Sequence, residues 1–163
     1  QALRNEIAPL PCQQLYFTTL AYGKLQPLFT AEPEKRLEEI RKDEHILLVT
    51  GIASPAAIID KLSAYTQFIT PLIFPDHHDF DATDMKRITE AFKKLPAGRR
   101  FIVTTEKDAA RLITHPLLDE TLKPSIYVLP VEVAFLNEEE HLFNQNIIEY
   151  VRKNSRNSSF SKS

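Results

Sequence analysis

A single cysteine, three glycines and no apolar run near the ~20 residues of a membrane span set the first limits on this 163-residue chain. Cys12 has no partner for an internal disulfide and cannot supply half of a cysteine metal site, which suits a reducing compartment. The other candidate zinc ligands His45, His115 and His141 are scattered. The only Gly-Lys pair, Gly23-Lys24, has Thr18 where a Walker A loop needs its first glycine and Leu25 where it needs Ser or Thr, so ATP phosphates are not cradled that way. With 43% hydrophobic residues, 26% charged and a net charge of −2, nothing marks the chain as disordered, membrane-spanning or nucleic-acid-binding. The opening Gln-Ala-Leu-Arg-Asn-Glu has no signal-peptide core, and a start on Gln1 rather than Met leads us to expect a piece of a longer protein.

What is present begins with Phe74-Pro75-Asp76-His77-His78-Asp79-Phe80, the densest chemistry in the chain. It follows the apolar run Phe68 to Ile73, read as a buried strand that delivers its polar residues to the rim of a sheet, where ligands sit in open α/β folds. From Asp81, a plausible N-cap, a helix aligns Met85, Ile88, Phe92 and Leu95 on one face.

Around this centre, residues 1–30 read as a connector (1–12) followed by a long ribbon strand from Gln14, with Tyr22-Gly23-Lys24 as a turn or bulge. Residues 31–44 alternate charge and read as a short solvated helix or a mobile linker. Residues 45–130 read as an α/β lobe of about four strands: His45 to Thr50, Gln67 to Phe74, Arg100 to Thr104 and Ser125 to Leu129, alternating with helices. Ser54 is expected to cap the helix that carries Ile58, Ile59, Leu62 and Tyr65, Gly98 to end the 81–95 helix, and Thr105 with Asp108 to open another. Residues 131–153 read as a return strand, Val131 to Phe135, pairing antiparallel with 15–22, and a final helix with Leu142, Ile147 or Ile148, and Val151 facing inward. Residues 154–163 read as a disordered tail. The fold class is therefore α/β, a small three-layer parallel sheet flanked by helices plus a two-stranded antiparallel ribbon.

Three loops leave three strands at one sheet edge: Gly51 to Pro55, Asp76 to Asp79, and Thr104 to Asp108. Taken singly each has an ordinary reading. Ser54-Pro55 is a helix cap or an anion site, and Lys107 is a solvated helix-start cation or a phosphate ligand. A histidine alone is usually structural, but Asp76-His77 sets a carboxylate beside an imidazole at a strand exit, a pair suited to proton transfer. An Asp-His-His metallophosphoesterase is a rival reading, although three glycines leave no room for that class's glycine-rich histidine motif. A non-catalytic interaction domain, in which Asp76 and His77 merely fix a helix start, is another.

Four segments in order, Val49-Thr50-Gly51-Ile52-Ala53-Ser54-Pro55, Phe74 to Phe80, Val103-Thr104-Thr105-Glu106-Lys107-Asp108-Ala109-Ala110-Arg111 and Tyr127-Val128-Leu129-Pro130-Val131, resemble the C-terminal half of the tetraacyldisaccharide 4'-kinase (lipid A 4'-kinase) family. The resemblance covers roughly residues 14–150. It implies ATP- and Mg2+-dependent phosphorylation of the 4'-hydroxyl of the tetraacyldisaccharide-1-phosphate lipid A precursor, by a peripheral enzyme at the cytoplasmic face of the inner membrane. It also implies an N-terminal P-loop core domain, joined through the ribbon, that would hold the nucleotide, the magnesium and the acidic partner of the catalytic histidine. His77 then corresponds to the histidine that helps activate the sugar hydroxyl, with Asp76 orienting it or fixing the loop, and Ser54 and Lys107 as substrate-binding candidates. Where the family usually has Asn before the first-motif proline, this chain has Ser54, which would keep a capping function. Alone, this stretch is expected to bind neither cofactor and to be catalytically silent.

Overall fold

The computed structural model describes residues 2–76 and 78–157. In chain order it contains α1 (Ala2–Ile7), β1 (Thr18–Tyr22), β2 (Gln26–Pro27), a 3-10 turn (Leu37–Glu39), β3 (His45–Thr50), α2 (Ala56–Ser63), β4 (Ile69–Ile73), α3 (Ala82–Lys94), β5 (Arg100–Thr105), α4 (Glu106–Leu112), β6 (Ile126–Leu129), β7 (Val131–Phe135) and α5 (Glu140–Asn157). Contacts divide the chain into two units, residues 22–131 and the stretches that flank them.

The 22–131 unit is a five-stranded sheet in the order β2-β6-β5-β3-β4. The four strands read from the sequence run parallel, with Ile46 opposite Ile69 and Phe101, and Ile102 opposite Ile126. The fifth, β2, is antiparallel to β6 and comes from a stretch expected to be one long ribbon strand. That stretch breaks at Gly23, whose N–H bonds the Pro130 carbonyl at 2.9 Å. Leu25 then becomes completely buried, which draws the chain onto the sheet edge.

Successive residues of the central strands feed opposite faces, as the period of a pleated strand requires. Leu47, Val49 and Ile102 join Met85, Ile88 and Phe92 of α3 and Leu112 of α4 on one face. Ile46, Leu48, Phe101 and Val103 join Ile58 and Leu62 of α2 on the other. Leu37 and Ile40 are buried in that second face, so the short helical turn expected in the charged 31–44 segment is present at Leu37–Glu39 but is not fully solvated, and the segment acts as a strap. Two apolar anchors outweigh the surrounding charge, and Lys35 and Glu44 within it form a part-buried ion pair at 2.8 Å.

β4 corrects the expectation of a buried strand. It is the sheet edge, its residues are half-buried or exposed and none is buried, and Pro71, which has no N–H to donate, sits in its middle. α3 starts as expected: the Asp81 carboxylate accepts from the Asp84 N–H at 2.9 Å, and the Asp84 carboxylate accepts from the Asp81 N–H at 3.1 Å. Its end is closed by Arg100 of β5, whose guanidinium donates to the carbonyls of Phe92, Lys93 and Leu95 at 2.9, 3.0 and 2.6 Å and lies over the Phe92 ring. Gly98 then turns the chain with φ +79°.

In the flanking unit β1 and β7 form the expected two-stranded antiparallel sheet, extended by a bond from the Leu136 N–H to the Phe17 carbonyl at 2.8 Å. The first twelve residues, expected as a connector, include α1. α5 also differs from its reading. Leu142, Ile147, Ile148 and Val151 are 50%, 49%, 49% and 54% exposed rather than inward-facing. The helix instead meets the ribbon through Phe143, whose ring contacts those of Tyr16 and Phe135, and through Asn146, which bonds Gln14 and Tyr16. Large aromatic surfaces set the rotation of α5, and the aliphatic stripe is left outside. The helix runs to Asn157, so the tail expected to be disordered from Asn154 begins as helix, and the rest of it lies outside the described residues. No described helix is long and apolar enough to cross a membrane.

Candidate active site at the carboxyl edge of the sheet

Adjacent parallel strands β3 and β5 send their chains to opposite faces, β3 into α2 and β5 into α4. The crevice beyond their carboxyl ends is a topological switch point, the place where open α/β sheets bind ligands. Asp108 sits there with no exposed surface. Its Oδ2 accepts from the Gly51 N–H at 2.9 Å, the Thr50 hydroxyl at 3.1 Å and the Thr105 hydroxyl at 2.8 Å. Thr105 caps α4 by accepting from the Asp108 N–H at 3.3 Å, as its spacing predicted.

The third loop arrives from β4. A Cβ on Gly51 would stand 3.0 Å from the Pro75 carbonyl oxygen and 3.3 Å from Asp108 Oδ1, so glycine lets the two loops close on each other where a side chain would push them apart. Asp76 forms an ion pair with Lys107, both partly exposed. Two of the four predicted site residues are thereby brought together. Ser54 is not: it is exposed, α2 begins two residues later with no side-chain cap, and the Pro55 carbonyl accepts from Ile58 and Ile59 at 3.1 Å each. The expected capping by Ser54 is corrected, because the backbone of Pro55 already closes the first turn. His77 lies outside the described residues.

His78 is held from several sides. Its Nε2 lies 2.5 Å from Asp84 Oδ2, its N–H donates to the Pro75 carbonyl at 3.2 Å, and its ring stacks on Phe74 with Phe80 edge-on. Asp84 is buried, and burial alone would raise its pKa. The His78 hydrogen bond, the Asp81 N–H and the charges of His78 and Arg87 outweigh that and hold the carboxyl below its ordinary 3.8. Arg87 also lies over the Phe74 ring.

Sequence reasoning passed over Asp84, the carboxylate of Asp108 and Arg111. Arg111 has Nε 3.8 Å from Asp79 and Nη1 3.6 Å from Asp108 Oδ1, and both Nη1 and that Oδ1 are buried without a hydrogen bond. The available signal was an acid three residues after each helix cap, which reads as a capping partner and hides any second contact.

A three-layer lobe with three loops gathered over a parallel sheet's switch point defines an α/β ligand-site domain. The chain belongs to the tetraacyldisaccharide-1-P 4'-kinase family, whose model matches residues 5–151. It is 62% identical to a tetraacyldisaccharide 4'-kinase of Phocaeicola vulgatus over 99% of this chain and 44% of that protein. Against the Bacteroides thetaiotaomicron protein of the same name it is 51% identical, over 93% of this chain and 42% of the relative. The chain thus spans roughly two fifths of the length of the curated relatives it matches. A crystal structure of LpxK from Aquifex aeolicus in complex with ATP is similar at 15% identity and TM-score 0.42, covering 82% of this chain and 37% of that one. Membership in a kinase family displaces the phosphoesterase reading.

Proposed function

We propose that this chain is the carboxyl-terminal lobe of a kinase that phosphorylates the 4'-hydroxyl of the tetraacyldisaccharide-1-phosphate precursor of lipid A, working peripherally at the cytoplasmic face of the inner membrane. One observation carries the reading: the family match runs through all three loops, and those loops converge on one sheet edge with Asp76 and Lys107 in contact. Phosphoryl transfer needs a positioned hydroxyl and a proton acceptor more than covalent help from the protein. His77 serves as that acceptor. Asp76, tethered by Lys107, fixes the segment that carries it, and His78 anchors the same segment to α3 through Asp84.

Among the described residues no group of three or more His, Cys, Asp or Glu could hold a metal ion. ATP and Mg2+ belong to the P-loop part of the full-length protein. The 163-residue chain alone is expected to be inactive, because it has no phosphate cradle of its own.

The test is transfer of labelled phosphate from ATP to the disaccharide 1-phosphate by the full-length protein. His77→Ala should lower kcat by about 10²–10⁴-fold with a smaller effect on KM, the range for a lost general base. Magnesium-dependent turnover by the 163-residue chain, abolished by a substitution within it, would sink the assignment.

A further inference from the structure

The Thr105-to-Arg111 segment holds a carboxylate that the proposed chemistry does not use. Burying Asp108 completely costs several kcal/mol unless donors replace its water. A helix start does not need it, because Thr105 already caps α4. Its donors come instead from two strands, Thr50 and Gly51 at the exit of β3 and Thr105 at the exit of β5. Asp108 therefore welds the two sides of the switch point and fixes how α4 is rotated about its own axis.

That rotation decides where the preceding side chain goes. Lys107 leaves α4 beside β5, yet its ammonium meets Asp76 beyond the exit of β4, and β3 lies between those strands. Strands spaced ~4.8 Å apart put β4 about 10 Å from β5, more than a lysine side chain covers by itself, so Lys107 and Asp76 close the gap by reaching toward each other. The lysine thus spans the exit of β3, where Gly51 contributes no side chain. A modest turn of α4 would withdraw the ammonium from Asp76.

We propose that Asp108 is a positioning residue: by tying the exits of β3 and β5 together it aims Lys107 across Gly51 onto Asp76. The inference rests on the reading that the Asp76 loop belongs to the kinase site. Asp108 acts on the site through Lys107, while Arg111 Nη1, 3.6 Å from its Oδ1, balances the carboxylate's charge from the same helix.

Four full-length proteins test this: wild type, Asp108→Asn, Lys107→Ala and the double variant, each assayed for kcat, KM and thermal unfolding. Each single change should lower kcat/KM about tenfold, within the range seen for contacting pairs, and the double variant should lose little more than either alone. Asp108→Asn should still lower the unfolding temperature in both backgrounds, so a stability effect and an aiming effect separate. Lys107→Arg should retain most activity when Asp108 is present and none of that advantage when it is Asn. Multiplicative losses of about 100-fold in the double variant would overturn the proposal, since independent sites add in free energy.

A second measurement needs no turnover. In NMR spectra of the 163-residue chain the Lys107 ammonium signal should move with Asp108→Asn to where Asp76→Asn places it. An unmoved signal overturns the proposal. A full-length protein without transfer activity would refute the kinase reading, and this spectrum would still decide the role of Asp108.

Discussion

Replacing Asp84 with Ala removes one acceptor from three donors, and the structure lets the loss be apportioned. The side chain is 7% exposed and takes the His78 ring at 2.5 Å, the Asp81 N–H at 3.1 Å and Arg87 at 3.4 Å. A hydrogen bond to a charged partner contributes about 1.5–3 kcal/mol, and loss of a capping arm costs about 0.5–2 kcal/mol. Arg87 is half exposed and adds under about 1 kcal/mol after screening. These terms share one carboxylate, so the expected destabilisation is about 2–4 kcal/mol rather than their sum. Asp84→Asn keeps an acceptor for the Asp81 N–H and should cost about half as much. Urea unfolding followed by far-ultraviolet dichroism and tyrosine fluorescence reads the effect, the chain having no tryptophan. His78→Ala added to Asp84→Ala should then cost little further. A loss below about 0.5 kcal/mol for Asp84→Ala, or full additivity with His78→Ala, would refute the claim that the pair anchors the 74–80 loop.

The same carboxylate sets an acid limb. Because its pKa is lowered on folding, its contribution is present above 3.8 and is lost as pH falls through the folded value, so wild type should lose more stability than Asp84→Asn between about pH 5 and about pH 2; parallel curves would contradict this. Gly51→Ala should cost about 1–3 kcal/mol in urea unfolding, because its new methyl meets a backbone carbonyl that cannot rotate away. Arg100→Lys should lose about 1–2 kcal/mol despite keeping the charge, since a compact ammonium on a differently shaped stem cannot both lie flat on the Phe92 ring, as the planar guanidinium does, and hold Nη1's place among the three carbonyls; a stability equal to wild type in the same unfolding assay would show that the planar group is not needed.

The strands that were easiest to read are those buried on both faces. Ile46 to Val49 and Phe101 to Val103 are continuous apolar runs because helices cover both faces of the sheet there, and no other local pattern explains them. Asp81 and Thr105 announced their helices because capping is a local bond within one turn. β4 misled through the same apolar-run rule, since Phe68 and Ile73 are partly exposed at an edge that the run itself does not mark. β2 has two residues and no pattern, and only the burial of Leu25 and the pairing with β6 create it. In the site, the meeting of the loops was legible from three strand exits on a parallel sheet. What joins them was not. The bonds from Asp108 to Thr50 and Gly51 cross 58 and 57 positions, and no spacing rule reaches that far. α5 was read correctly as a helix and wrongly in its facing, because its inward side was chosen by three aromatic rings rather than by aliphatic periodicity.

The bond between Gly23 and Pro130 means that the 22–131 unit begins and ends at one spot. A stretch whose ends already touch can be cut out, or spliced into another chain, without stretching its host, and insertions succeed where entry and exit lie side by side. The entropy of closing so long a loop grows only with the logarithm of its length, so extra residues within the excursion are inexpensive compared with a break in its hinge. Such a module can gain or lose surface loops over evolutionary time while its docking point on the parent chain stays the same.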